Sequence, residues 1–282
     1  PSRTAARAAF RRAQHQMLDR PLVFVDPLAK AVLSKEAQSI LESDPARGAH
    51  GILASRLRAF LVVRSRIAED CLASAVAAGV RQYLIFGAGL DTFACRNPFS
   101  ELRVFEVDHP RTQEWKRGRL KAAGLDATDR TTFVPVDFNT QTLPSVLAEC
   151  GFNDAEPTAI SWLGVLPYLE EHAVWTTLEW SAAVTGREGH IVFDYGTKPK
   201  WWQLGQLLAH RRLANRVAAA GEPFRTYLDA DNLRNGLTSI GFSSIADLDA
   251  HELNQRYFAG RSDGLRLGGS GHVVIASRRL LT

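Results

Sequence analysis

From Gln82 onward the chain alternates short apolar runs with helical patterns, and that rhythm leaves few folds open. The runs are QYLIF (Gln82–Phe86), LRVFEV (Leu102–Val107), TTFVPV (Thr131–Val136), TAISWL (Thr158–Leu163) and HIVFDY (His190–Tyr195). Each is flanked by turn residues and nearly apolar throughout, as expected of strands buried on both faces of a parallel sheet. Between them lie helical segments such as RTQEWKRGRLKAAG and EEHAVWTTLEWSAAV. Strands alternating with helices predict a doubly wound, Rossmann-like α/β sheet with right-handed crossovers. Two further runs, SSIADL and HVVIASRR, read as last strands joined by a loop and are expected to pair antiparallel.

The first eighty residues lack this rhythm and read as a helical N-terminal cap (1–80) on the sheet domain (81–282). TAARAAFRRAQHQML has helix formers with a charged face. PLAKAVLSKEAQSIL follows a helix start signal at Pro27, with Asp26 as its N-cap. LRAFLVVRSRIAEDCLASAVAAG is long and periodic and ends at Gly79. After Tyr195, WWQLGQLLAHRRLANRVAAAGEPF breaks the pattern and is expected to form a helical insertion over about 199–228.

Composition removes several functional classes. The net charge is +4, and the basic groups KRGRLK and HRRLANR read as solvated helix faces without interleaved aromatics, so nucleic-acid binding is not expected. The three cysteines, Cys71, Cys95 and Cys150, form no C-x-x-C pair, which argues against a structural zinc site or a disulfide framework and fits reduced thiols in the cytoplasm. No apolar run approaches the roughly 20 residues of a membrane span. The N-terminal segment has no signal-peptide core and reads as an amphipathic helix. Oligomeric state is not legible.

The chemistry is concentrated where the first strand runs into GAGLDT (Gly87–Thr92). Glycines there let the backbone turn tightly and approach a ligand at the carboxyl end of the sheet. A dinucleotide fingerprint, G-x-G-x-x-G, would need a third glycine where Thr92 stands, and Asp91 would repel a pyrophosphate at the helix start. S-adenosylmethionine carries no phosphate, and its sulfonium and ammonium tolerate a carboxylate. The second strand ends FEVDHP, which places Glu106 and Asp108 about twenty residues after the glycines, where a carboxylate accepts from ribose hydroxyls. Strand alternation sets the two acids on one side. Asp108, nearer the strand end, is the first choice and Glu106 the second; the competing role for Asp108 is to cap the next helix. The third strand ends PVDFN: Asp137 suits an exocyclic amine and Phe138 a purine face, unless they simply cap a loop and fill core.

RSRIAED, VRQYLIFGAGLDTFACR, VFEVDHP, VDFN and SWLGVLPYL, with RA and DPLA near the N-terminus, together resemble the leucine carboxyl methyltransferase family. The likeness is nearest to a bacterial branch that includes actinobacterial S-adenosylmethionine-dependent methyltransferases and polyketide carboxyl methyltransferases of the tetracenomycin type. It runs from about Ala5 to the last strand. It implies a methyltransferase sheet, a small-molecule acceptor methylated at a carboxylate, and cofactor contacts from Gly87, Ala88, Gly89, Asp108 and the Asp137–Phe138 pair. It also implies an arginine that holds the cofactor's carboxylate, matched here by Arg64, with Arg66 its neighbour. One departure stands out: where many relatives have a glutamate after the fourth strand, this chain has Leu163, so contacts there fall to backbone groups or to Trp162.

An ionised carboxylate needs no general base for methyl transfer, whereas a phenol would. His109 adjoins Asp108 and His172 starts a helix, so neither is assigned as a base, and no catalytic residue or metal is expected. Tyr168, Tyr195, Trp201 and Trp202 are the candidates for lining the acceptor pocket. The alternatives are a non-catalytic S-adenosylmethionine- or nucleoside-binding protein and a nicotinamide-dependent oxidoreductase. A nucleic-acid methyltransferase is disfavoured, because neither a prolyl-cysteine nor an Asn/Asp-Pro-Pro-aromatic motif is present.

Overall fold

The computed structural model describes residues 2–137, 141, 143–197 and 223–278, and between these last two stretches residues 208, 211, 214, 215, 218, 219 and 221. Seven strands form one sheet: β1 (Gln82–Phe86), β2 (Arg103–Asp108), β3 (Thr131–Pro135), β4 (Thr158–Trp162), β5 (His190–Gly196), β6 (Ser244–Leu248) and β7 (Gly271–Ser277). Their order is β3-β2-β1-β4-β5-β7-β6. Pairs among β1 to β5 are parallel, and β7 is antiparallel to both β5 and β6. The chain reverses its direction of build between β1 and β4, and this switch point opens a crevice at the carboxyl strand ends.

Helices cover both faces. On one side lie α6 (Leu143–Glu149), α7 (Glu171–Val184) and α8 (Ala230–Ser239), whose Leu147, Val174, Leu178 and Leu237 pack on Phe86, Phe105, Ile160 and Phe193. On the other lie α3 (Ile52–Ala77), the four-residue α4 (Phe93–Arg96), α5 (Pro110–Ala122) and α9 (Ala250–Tyr257). The loop expected between the last two strands therefore contains helix α9, started by a capping box of Asp249 and Glu252.

The N-terminal region divides differently from the sequence expectation. Val62, Val63 and Ile67 of α3 pack on Val192 and Val273, so α3 belongs to the sheet's own helical layer. Only α1 (Arg3–Leu18) and α2 (Lys35–Ser43) lie outside that layer, sharing a small core with Leu90 and Leu120. Asp26 does not start a helix. Residues 27–32 are turns, and α2 begins later with Ser34 as its N-cap. Asp26 Oδ1 still accepts from the Leu28 N–H at 3.1 Å, capping that turn, but the residue is buried, accepting also from Thr92 Oγ1 at 2.8 Å and lying 3.5 Å from Arg12. A carboxylate taken out of water needs such partners. The expected insertion at about 199–228 falls mostly outside the described residues. Among those described, no helix is long and apolar enough to cross a membrane.

Candidate functional site

A cavity of about 1340 Å³ lies along the carboxyl strand ends, roofed by α1. It exceeds the roughly 300–1,000 Å³ of a typical single-ligand pocket, so it has room for two ligands side by side. Its floor begins at the glycine loop. Gly87 and Gly89 have φ of +61° and +51°, the left-handed region that suits glycine. A Cβ on Gly87 would stand 2.2 Å from Val165 Cγ2, and one on Gly89 would stand 3.1 Å from Ala5 Cβ on α1. The loop is thus pressed between the β4 loop and the N-terminal helix.

The loop is also tied to the end of β2. The Gly87 N–H donates to Val107 O at 2.7 Å, and the Gly89 N–H donates to Asp108 Oδ2 at 2.5 Å. Asp108 Oδ1 accepts from the His109 N–H at 2.7 Å. Burial pushes the Asp108 carboxyl above its ordinary pKa, and these two N–H donors only partly offset that. Each carboxylate oxygen keeps a lone pair for a ligand hydroxyl. Asp108 does not cap α5: His109 is the N-cap, its Nδ1 accepting from the Arg111 N–H at 3.2 Å.

Glu106 shares the face of Asp108 but not its role. It is 1% exposed, and both its oxygens accept from Lys116 Nζ at 2.6 Å. Lys116 stands ten residues on, on α5, and closes Glu106 off from the cavity, which it does not line. Trp162 corrects a second expectation. It is fully buried in an edge-to-face contact with Phe86 and does not line the cavity, whereas Ser161 and Leu163 on either side of it do. Side chains alternate across a strand, so one residue's shift in register separates ligand wall from core.

Arg64 projects from α3 into the cavity wall. Its Nη1 donates to Asp194 Oδ2 at 2.8 Å, while Asp194 Oδ1 accepts from the Gly164 N–H at 2.6 Å. The guanidinium lies over Gly164, where a Cβ would stand 2.7 Å from Nη2. The acid missing at Leu163 therefore has a counterpart on the neighbouring strand, at the end of β5. Sequence reasoning passed over Asp194, although a lone acid in an apolar strand was a readable signal. Arg66 lies on the exposed face and pairs with Asp70.

Asp91 does not face the cavity as a free charge. Burial raises its carboxyl pKa, but Arg12, Arg96 and Lys116 outweigh that and hold it below the ordinary range. Arg12 comes from α1, with Nη1 3.7 Å from Asp91 and Nη2 donating to Leu90 O at 2.5 Å. These bonds fasten α1 over the loop. The four-residue α4 that follows offers little helix dipole to a pyrophosphate, which adds to the case against a dinucleotide.

At the far end the lining is aromatic. Tyr168 stacks near Phe224 at 5.5 Å between ring centroids, and Phe224 meets Tyr227 edge-on at 6.1 Å. Tyr195 borders the same space but is 2% exposed, and its hydroxyl donates to Asp247 at 2.6 Å, so its polar end is committed to the fold. Asp137 lines the cavity beside His109, and His172 is exposed on α7. Phe138, Trp201 and Trp202 lie outside the described residues. Sequence reasoning also missed Phe224 and Tyr227, which sit in a segment without periodicity.

A doubly wound sheet with one antiparallel strand, a glycine loop after β1 and an acid at the tip of β2 defines a methyltransferase-like α/β protein. Solved structures agree on the fold. A DUF574 family protein from Streptomyces avermitilis superposes with a TM-score of 0.57 at 16% identity, covering 95% of this chain and 96% of its own. A Thermobifida fusca protein described as a "putative methyltransferase" gives 0.55 at 16% identity, covering 96% and 94%. The chain belongs to the leucine carboxyl methyltransferase family, whose model matches residues 5–182. It is 31% identical to a Bacillus subtilis (strain 168) protein named "Putative S-adenosyl-L-methionine-dependent methyltransferase YktD", across 99% of this chain and 98% of that one. A Saccharopolyspora erythraea protein with the same general description is 37% identical over 60% of this chain and 56% of its own length.

Proposed function

We propose that the protein is an S-adenosylmethionine-dependent O-methyltransferase that esterifies a carboxylate on a small molecule. The observation that carries this reading is the single cavity that joins the Gly87–Gly89 loop and Asp108 to an aromatic end at Tyr168, Phe224 and Tyr227. The residues fit the cofactor: the Gly87–Gly89 backbone lines the cavity, fixed there by left-handed turns and by packing on Val165 and Ala5, and Asp108 keeps acceptor capacity at the strand tip.

Each residue then has a task. Asp108 accepts from the ribose hydroxyls. Asp137 accepts from the adenine amine. Arg64, fixed by Asp194, donates its remaining N–H groups to the methionine carboxylate. Leu163 and Gly164 line the wall beside the sulfonium, and α1 with its Arg12 ties excludes water. When bound, S-adenosylmethionine supplies an electrophilic methyl group, taken by an acceptor oxygen as the sulfonium becomes a neutral thioether. The protein's part is to hold the acceptor oxygen in line, an effect worth roughly 7–11 kcal/mol in well-oriented systems.

A carboxylate acceptor is already ionised and needs no base, which supports it over a phenol. Among the described residues lining the cavity the one imidazole is His109, which caps α5 at the ribose end. A phenol would want a base at the other end. The test is transfer from methyl-labelled S-adenosylmethionine to panels of carboxylic acids and phenols, followed by mild alkali. Label released as methanol marks an ester and supports the reading. Alkali-stable label on a phenol would replace it with ether formation, and labelled nucleic acid would overturn the small-molecule acceptor.

A further inference from the structure

Along α3, Arg56, Phe60 and Arg64 recur every four residues and all face the cavity. Arg64 is neutralised by Asp194. Arg56 is not neutralised: its Nε is buried without a hydrogen-bond partner, and no carboxylate pairs with it among the described residues. Its guanidinium lies on the backbone of Gly268, where a Cβ would stand 2.6 Å from Nε and 2.8 Å from Cζ. Gly268 does not have a left-handed φ, so the glycine there is required by space alone.

The position of Arg56 fixes which ligand it meets. Eight residues on a helix span about 12 Å, so Arg56 stands two turns before Arg64. Strand ends meet the cavity in the order β2, β1, β4, β5 and then β7, from Asp108 to Gly271. Arg64 and Gly164 mark the middle of that row, and Arg56 with Gly268 lies beyond it, past the cofactor's end. Phe60, packed on Gly271 and beneath Arg64, separates the two guanidiniums with an apolar surface. Nε itself is closed off by Gly268, so the groups a ligand can meet are the two Nη nitrogens, which no carboxylate pairs among the described residues; a planar guanidinium matches a carboxylate bidentately.

We propose that Arg56 anchors a second anionic group of the acceptor, a carboxylate remote from the one that is methylated, with the acceptor's apolar body on Phe60. A carboxylate gripped by both guanidinium donors is a poor nucleophile, so the gripped group is not the reacting one. This rests on the methyltransferase reading above.

The experiment titrates the S-adenosylhomocysteine-saturated protein with suberate, sebacate and dodecanedioate, and with octanoate, decanoate and dodecanoate. In the wild type the best diacid binds about tenfold or more tightly than the monoacid of its length, the scale of a charge-assisted hydrogen-bonded pair. Arg56→Gln abolishes that preference, Arg56→Lys retains part of it, and both bind S-adenosylhomocysteine as the wild type does, which also shows that they fold. Absence of a preference in the wild type, including failure of every acid to bind, overturns the proposal, as does a preference that survives Arg56→Gln. Failure of the wild type to bind S-adenosylhomocysteine would instead overturn the underlying function.

Discussion

Gly87→Ala tests whether the ligand loop is held by packing as well as by its backbone angles. The substitution meets two costs. At φ +61° an L-residue pays about 1–2 kcal/mol for the left-handed conformation. The new Cβ would also stand 2.2 Å from Val165 Cγ2 and 3.3 Å from Val165 Cβ. Val165 is β-branched and stiff at χ1, so relieving the overlap adds about 1–3 kcal/mol of overpacking. The total is about 2–5 kcal/mol, or roughly 5–15 °C in Tm on the scale for domains near this size. Gly124 is a matched control, with φ +64° and nothing within 4 Å of its virtual Cβ, so Gly124→Ala pays the conformational part alone. Thermal unfolding of both variants, and of Gly87→Ala with Val165→Ala, separates the two costs as a double-mutant cycle. The expected result is a larger loss for Gly87→Ala than for Gly124→Ala, with the excess mostly recovered when Val165 is shortened. Equal losses, or no recovery, would refute the packing argument.

Two further outcomes follow from buried charges. Lys116→Met strands the Glu106 carboxylate in the interior and should cost about 3–5 kcal/mol in urea unfolding, most of it recovered by adding Glu106→Gln. Glu106→Gln alone should leave cofactor affinity unchanged, because Glu106 is turned into the Lys116 pair. Burial pulls the His190 imidazole down from 6.5 to about 4. The folded state therefore refuses a proton that the unfolded chain accepts, and stability falls as pH drops from about 6.5 toward 4, by up to about 3 kcal/mol. Tm measured at pH 7 and pH 5 should show about 2 kcal/mol of that loss, and His190→Gln should shrink it.

Much of this organisation was legible in the sequence, and the failures share a cause. The change of rhythm at Gly79, the five parallel strands and the turn at Gly87 depend on local patterning, and the structure places them within a residue or so of expectation. What patterning could not show was pairing across the fold. Glu106 and Asp108 share one side by parity, and in the sequence only distance from the strand end ranks them; what separates them in the structure is Lys116, which claims Glu106. Asp26 resembled a helix cap because its local signals are those of a cap, yet Thr92 and Arg12, far along the chain on either side, draw it inward. Arg64 was found through a family likeness, but its partner Asp194 lies 130 residues away. Trp162 was misplaced by a single step of strand alternation.

The central claim is that Asp108, at the tip of β2, anchors S-adenosylmethionine. Calorimetric titration of the purified protein with S-adenosylmethionine and separately with NADH, repeated on Asp108→Ala and Glu106→Gln, tests it most directly. S-adenosylmethionine should bind and NADH should not, with affinity weakened tenfold or more by Asp108→Ala, about the scale of a lost charge-assisted hydrogen-bond pair, and untouched by Glu106→Gln. Binding of NADH instead, binding of neither, or full affinity in Asp108→Ala would contradict it.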